Sequence, residues 1–164
     1  DTINKNTTLE EAEEAVRYTR EAGIHPIGYF MIGSPGETPE TIKQTIALAK
    51  KLKLGFAQFS ITTPFPGTEL YNLYLEAGGS GDIPWEDYVY AGSGEGAAPI
   101  FESDALKRDD IVAWQKRAYR DFYLRPSYIW QRILSCKSFG DIKVNLNGLS
   151  MLLGSIRSAK KGKA

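Results

Sequence analysis

Apolar positions along the chain change spacing at regular intervals. Leu9, Ala12, Val16 and Thr19 recur at helical spacing, preceded by Thr8 with Glu11 three residues on. That is a capping-box start, and Gly23 supplies a stop. Ile27-Gly28-Tyr29-Phe30-Met31-Ile32 is a nearly continuous apolar run between Pro26 and Gly33, as expected of a strand buried on both faces in a parallel sheet. A second helix opens with Thr38 as N-cap and Pro39 in its first position, and carries Ile42, Ile46, Ala49 and Lys53 on one side. Residues 56–62 read as a second strand, and a third helix over about 69–77 follows Pro66-Gly67.

Helix, strand, helix, strand, helix is the rhythm of β/α units with parallel strands. It starts on a helix with no strand before it, and two strands alone make a poor parallel sheet. Residues 1–77 are therefore expected to be the second half of a larger β/α array. A glycine-rich connection over 78–103 follows, in which Trp85, Tyr88 and Tyr90 are expected to pack down. Ser103 is expected to cap a helix reaching about Leu124, with Ile111, Trp114, Ala118 and Phe122 on one face, until Arg125-Pro126 breaks it. Helical patterns return over 127–136 and 141–158. The last places Ile142, Leu146, Leu149, Leu153 and Ile156 on one stripe before Lys160, Lys161 and Lys163.

Charge sharpens this division. The 164 residues hold 20 basic and 20 acidic side chains. Residues 1–103 carry 7 basic and 15 acidic, a net of −8, whereas 104–164 carry 13 and 5, a net of +8. The expected organisation is thus a β/α part (1–77), a connection (78–103) and a basic helical extension (104–164). The single cysteine, Cys136, excludes an internal disulfide and any metal cluster bound only by thiolates of this sequence. A polar start lacking an apolar core, together with one cysteine, fits a cytoplasmic location. The basic tail adds peripheral membrane contact as a further expectation.

Candidate chemistry gathers in the two loops after the strands, where β/α folds bind ligands. Gly33-Ser34-Pro35-Gly36-Glu37-Thr38 leads into a helix N-terminus that could offer free N–H groups to an anion; taken alone it also reads as a tight turn with a cap. Thr62-Thr63-Pro64-Phe65-Pro66-Gly67-Thr68 is stiffened by two prolines. Strand alternation puts Gln58, Ser60 and Thr62 on one face of the second strand, and Tyr29, Met31 and Gly33 on the matching face of the first. Helices need the opposite, apolar face, so this set is expected to look inward, toward either a ligand or buried water. His25 lies at a helix-to-strand turn at the other end and reads as structural. Glu10, Glu11, Glu13 and Glu14 complement a helix dipole and do not form a metal cluster. No Ser–His–Asp, His-x-x-His or P-loop pattern occurs, so hydrolase and nucleotide-kinase chemistry find no support.

Residues 28–38 and 59–71 together resemble the radical S-adenosylmethionine enzymes, in the second half of their partial β/α barrel. The segment Gly33–Thr38 is similar to that family's loop after the fifth strand, and Phe59–Tyr71 to its sixth strand and following loop. Ile3-Asn4-Lys5 and the helix after it are similar to the link from the fourth strand. Arg120-Asp121-Phe122-Tyr123-Leu124-Arg125-Pro126-Ser127-Tyr128-Ile129 is similar to the C-terminal region of members with an upstream cobalamin-binding domain.

The resemblance implies an α/β fold: the second half of a partial (β/α) TIM-like barrel followed by an α-helical C-terminal extension. It implies S-adenosylmethionine on a 4Fe-4S cluster, with cleavage to a 5′-deoxyadenosyl radical that abstracts hydrogen from a small-molecule substrate. The cluster's cysteines belong to the upstream half of the barrel, and cobalamin is a candidate second cofactor held by an upstream domain. Met31 and Gly33 would line the adenine end of the S-adenosylmethionine site, while Ser60, Thr62 and Pro64 would border adenine or substrate. The family's GxIxGxxE form is out of register here, since Met31, Gly33 and Gly36 fall where Ile, Gly and Glu are expected.

Two other readings stay open: a β/α-barrel enzyme whose loops bind phosphate, and a non-catalytic module docking through its basic helices. Nucleic acid is not an expected partner, because aromatics and base-reading side chains do not interleave.

Overall fold

The structure, a computed structural model, describes residues 7–89 and 101–135. The elements run α1 (Leu9–Glu21), β1 (Ile27–Ile32), α2 (Pro39–Lys51), β2 (Phe56–Ile61), α3 (Glu69–Glu76), α4 (Trp85–Val89), α5 (Arg108–Tyr123) and α6 (Pro126–Ser135). The expected helix over 141–158, Cys136, Tyr90 and the opening Ile3-Asn4-Lys5 lie outside the described residues. The chain divides into two compact units, Asp1–Gln115 and Lys116–Ala164, with the division inside α5.

Local chemistry sets the helix ends in the first unit. Thr8 Oγ1 accepts from the Glu11 N–H at 3.1 Å, while the Glu11 carboxylate accepts from the Thr8 N–H at 2.8 Å. Gly23, at φ +76°, closes α1 by letting Ile24 N–H donate back to the Thr19 carbonyl. At α2 the box is built from two threonines. Thr38 Oγ1 accepts from Thr41 N–H, and Thr41 Oγ1 from Thr38 N–H. Thr68 caps α3 by accepting from Tyr71 N–H at 3.1 Å.

β1 and β2 pair in parallel, Ile27 opposite Phe56 through Ile32 opposite Ile61. A parallel pair needs a crossover, which α2 provides. Pleating sends Phe30 and Ile32, with Ala57, Phe59 and Ile61, to one face. On it Phe30 and Phe59 stack at 5.2 Å, α2 packs on β1, and Ile42, Ile46 and Ala49 of α2 are buried. Gly28 has no room for a Cβ, which would stand 2.4 Å from the fully buried Leu54 side chain. The opposite face, with Tyr29 73% and Phe56 46% exposed, has no covering layer among the described residues. The architecture is mixed α/β with a two-stranded parallel sheet, and no complete barrel is present among the described residues.

One helix starts later than its pattern predicts. Ser103 does not cap α5: its hydroxyl accepts from Leu106 N–H within a separate turn. The first turn of α5 is capped instead by Asp110, which accepts from Lys107 N–H at 3.1 Å. The buried stripe also differs, because Gln115 rather than the half-buried Trp114 joins Ile111, Ala118 and Phe122 inside.

In the second unit, Phe122, Tyr123 and Tyr128 form an aromatic cluster with ring centroids 4.9–5.4 Å apart. The Arg125 guanidinium lies 4.2 Å from the Phe122 ring and 5.5 Å from Tyr128, joining α5 to α6 by cation–π contact. Among the described residues no helix is long and apolar enough to cross a membrane.

Candidate functional site

The C-terminal ends of β1 and β2 lead side by side into the two loops marked by their Gly and Pro content. Thr62 N–H donates to the Ile32 carbonyl at 2.8 Å, extending the ladder one step past the strands. Beyond it the Ser34 and Thr62 hydroxyls share a hydrogen bond of 3.0 Å, tying one loop to the other. Thr62 is wholly buried, and so is Pro64. The loops therefore form one braced rim.

Glu37 organises the first loop. Its carboxylate accepts from the N–H groups of Gly33 and Ser34, the latter at 3.2 Å, while its own N–H donates to the Ser34 carbonyl at 3.0 Å. Burial pushes the Glu37 carboxyl above its ordinary value, and the two amide bonds oppose that rise. The Gly33 and Ser34 amides of this turn are thus satisfied by the chain's own carboxylate.

The face lined by Tyr29, Met31, Gln58 and Ser60 is the one turned away from the helices, as strand alternation predicts. Met31 sits opposite Ser60 in register and is 40% exposed. Gln58 Nε2 donates to Ser60 Oγ at 3.3 Å. Gly33 departs from the alternation. Its φ of +87° turns the chain, and a Cβ there would meet Ile111 of α5 at 3.0 Å. Its place is at the packed side of the rim, not in line with Met31. Thr62 likewise spends its hydroxyl on Ser34. Of the five residues assigned to the cofactor, Met31 and Ser60 present side chains on the open face, whereas Gly33, Thr62 and Pro64 build the rim.

Three contributors escape reading from the sequence. Ser34 and Glu37 act through bonds inside the rim, for which the loop sequence carries no periodic signal. Gln115 donates to the Phe59 carbonyl at 2.8 Å while only 4% exposed, and holds α5 on the sheet. Its signal was present as a polar residue at the buried spacing Ile111, Gln115, Ala118. Beside the first loop a cavity of about 290 Å³ is lined by Pro35, Glu37, Leu73, Ala77, Phe101 and Leu106 among others. Among the described residues no group of three or more His, Cys, Asp or Glu side chains is placed to hold a metal ion.

No protein-family model matches the chain. It is 33% identical over 147 residues to an uncharacterized methyltransferase of Pyrococcus horikoshii, an alignment covering 90% of this chain and 30% of that protein. It is 31% identical over 134 residues to the anaerobic magnesium-protoporphyrin IX monomethyl ester cyclase of Cereibacter sphaeroides, covering 80% of this chain and 21% of that one. Against the bacteriochlorophyllide d C-8(2)-methyltransferase of Chlorobaculum tepidum it is 32% identical over 121 residues, covering 71% and 27%. The chain spans less than a third of the length of each of these relatives. It is therefore, at the level of family, a homologue of part of the radical S-adenosylmethionine enzymes.

Proposed function

We propose that the chain supplies the later strands of the barrel of a radical S-adenosylmethionine enzyme, and that the open face of its sheet forms one wall of the cofactor pocket. The observation carrying this reading is the pairing of an open, half-polar strand face with a braced rim at the C-terminal ends of two parallel strands. Met31 and Ser60, opposite each other in register, offer a thioether and a hydroxyl side by side. That combination suits a purine, with sulfur against its flat face and the hydroxyl at its polar edge. Gly33, Thr62 and Pro64 keep the rim in shape beside it. When bound, S-adenosylmethionine with its 4Fe-4S cluster supplies radical cleavage of an unactivated C–H bond.

The residues present do not fit the cluster itself, since the sequence holds one cysteine and a thiolate-bound cluster needs several. Its ligands are proposed to lie in an upstream half of the barrel. Methyl transfer is the favoured outcome, because two relatives are named methyltransferases. Cobalamin in an upstream domain is proposed with it. The phosphate-binding reading stays as the alternative: it would use the N-terminus of α2, whereas Glu37 takes only the Gly33 and Ser34 amides.

The test uses the full-length polypeptide containing this chain, reconstituted anaerobically with iron and sulfide and given S-adenosylmethionine and dithionite. Release of 5′-deoxyadenosine is expected. With Ser60→Ala and Met31→Ala together, the affinity for S-adenosylmethionine should fall by about tenfold, equivalent to roughly 1.4 kcal/mol. A full-length protein that binds no cluster and releases no 5′-deoxyadenosine sinks the reading.

A further inference from the structure

We propose that the exposed face of α6 docks on an anionic lipid surface. Four large apolar side chains of α6 stand open: Ile129 at 42%, Trp130 at 63%, Ile133 at 58% and Leu134 at 67% exposed. At 100° per residue they fall on a single stripe, since Ile129 and Ile133 lie one turn apart, as do Trp130 and Leu134. Tyr128, on the far side of the same helix, is buried in the aromatic cluster. The helix thus has one face committed to its own unit and one committed to nothing within the described residues.

Charge selects the occupant. From Pro126 to Ala164 the sequence holds seven basic side chains and one acidic, Asp141. Arg132 borders the stripe next to Ile129, and its guanidinium lies 5.9 Å from the Tyr128 ring. An apolar stripe with an interfacial tryptophan, arginine at its margin and almost no acid is the composition of a helix lying in the plane of an anionic interface. At 10 residues α6 is about 15 Å long and cannot span a bilayer. The sequence after α6 adds the charges of Lys137, Lys143, Arg157, Lys160, Lys161 and Lys163 to the electrostatic attraction.

The experiment mixes the full-length polypeptide with phosphatidylcholine vesicles, with and without roughly one-third phosphatidylserine, at about 0.1 M and about 0.5 M salt. Co-sedimentation at least about tenfold stronger on the anionic vesicles, and weakened by salt, is expected. The double variant Ile133→Asp/Leu134→Asp should abolish it with unchanged circular dichroism, because both side chains are already in water. Lipids brominated near the headgroup should quench a tryptophan signal that is missing from Trp130→Phe. Equal sedimentation on both vesicle types, or an unaffected double variant, overturns the proposal. So does a concentration-dependent dimer that the double variant dissolves without any vesicle binding, which would give the face to a second copy.

Discussion

Glu37 shows how much of a loop can depend on one carboxylate. It satisfies two amides of the turn and sits where burial holds its carboxyl above the usual glutamate value. Glu37→Ala leaves the buried Gly33 N–H and the Ser34 N–H without that acceptor, and should cost about 2 kcal/mol of stability by urea denaturation. A carboxyl whose folded value is raised holds more protons in the folded state than in the unfolded one. Its contribution is therefore fullest below the usual value near 4.5 and declines as the pH rises from there through the folded value. The urea midpoint of the native chain should accordingly fall relative to that of Glu37→Gln over that window. A constant difference between the two proteins across it would count against the burial argument.

At the scale of elements, the first part of α5, up to Gln115, is held to the sheet by a polar bond inside an apolar contact. Gln115 reaches the Phe59 carbonyl, and Ile111 fills the space that the missing Cβ at Gly33 leaves open. Gln115→Leu keeps the volume roughly constant while removing that donor from a buried carbonyl. A loss of about 1–3 kcal/mol is expected. Faster hydrogen exchange should appear in β2 and α5 while α1 is unaffected. Exchange accelerated equally everywhere would mean that the bond has no special place in joining α5 to the sheet.

At the scale of the whole molecule, the sheet has one finished face and one unfinished. Ile27, Tyr29, Met31 and Phe56 are all at least 40% exposed on neighbouring positions of the open face. An apolar patch of this kind marks a surface that expects a covering layer. The 164-residue chain should therefore enhance the fluorescence of a dye that binds apolar surface, and Tyr29→Ser with Phe56→Ser should reduce that signal by half or more. Equal dye binding by the double variant would show that the dye reports another surface. The net of −8 over residues 1–103 and +8 over residues 104–164 adds a second asymmetry, which the lipid-docking proposal assigns to the tail.

The sequence by itself determined the elements from α1 to α3 and their ends, but not α4 or the start of α5. Thr8, Glu11, Thr38, Pro39 and Gly23 act on neighbours three to five residues away, and such short-range bonds are written in residue order. It also determined that Tyr29 and Met31 share a face with Gln58 and Ser60, because strand pleating has a fixed period. Tertiary structure alone decided what interrupts that period. Gly33 turns onto Ile111, some 80 residues along, Thr62 bonds to Ser34, and Gln115 finds the Phe59 carbonyl. Each of these pairs meets only because the parallel register of β1 and β2 and the docking of α5 bring distant stretches together, and no local spacing encodes that meeting.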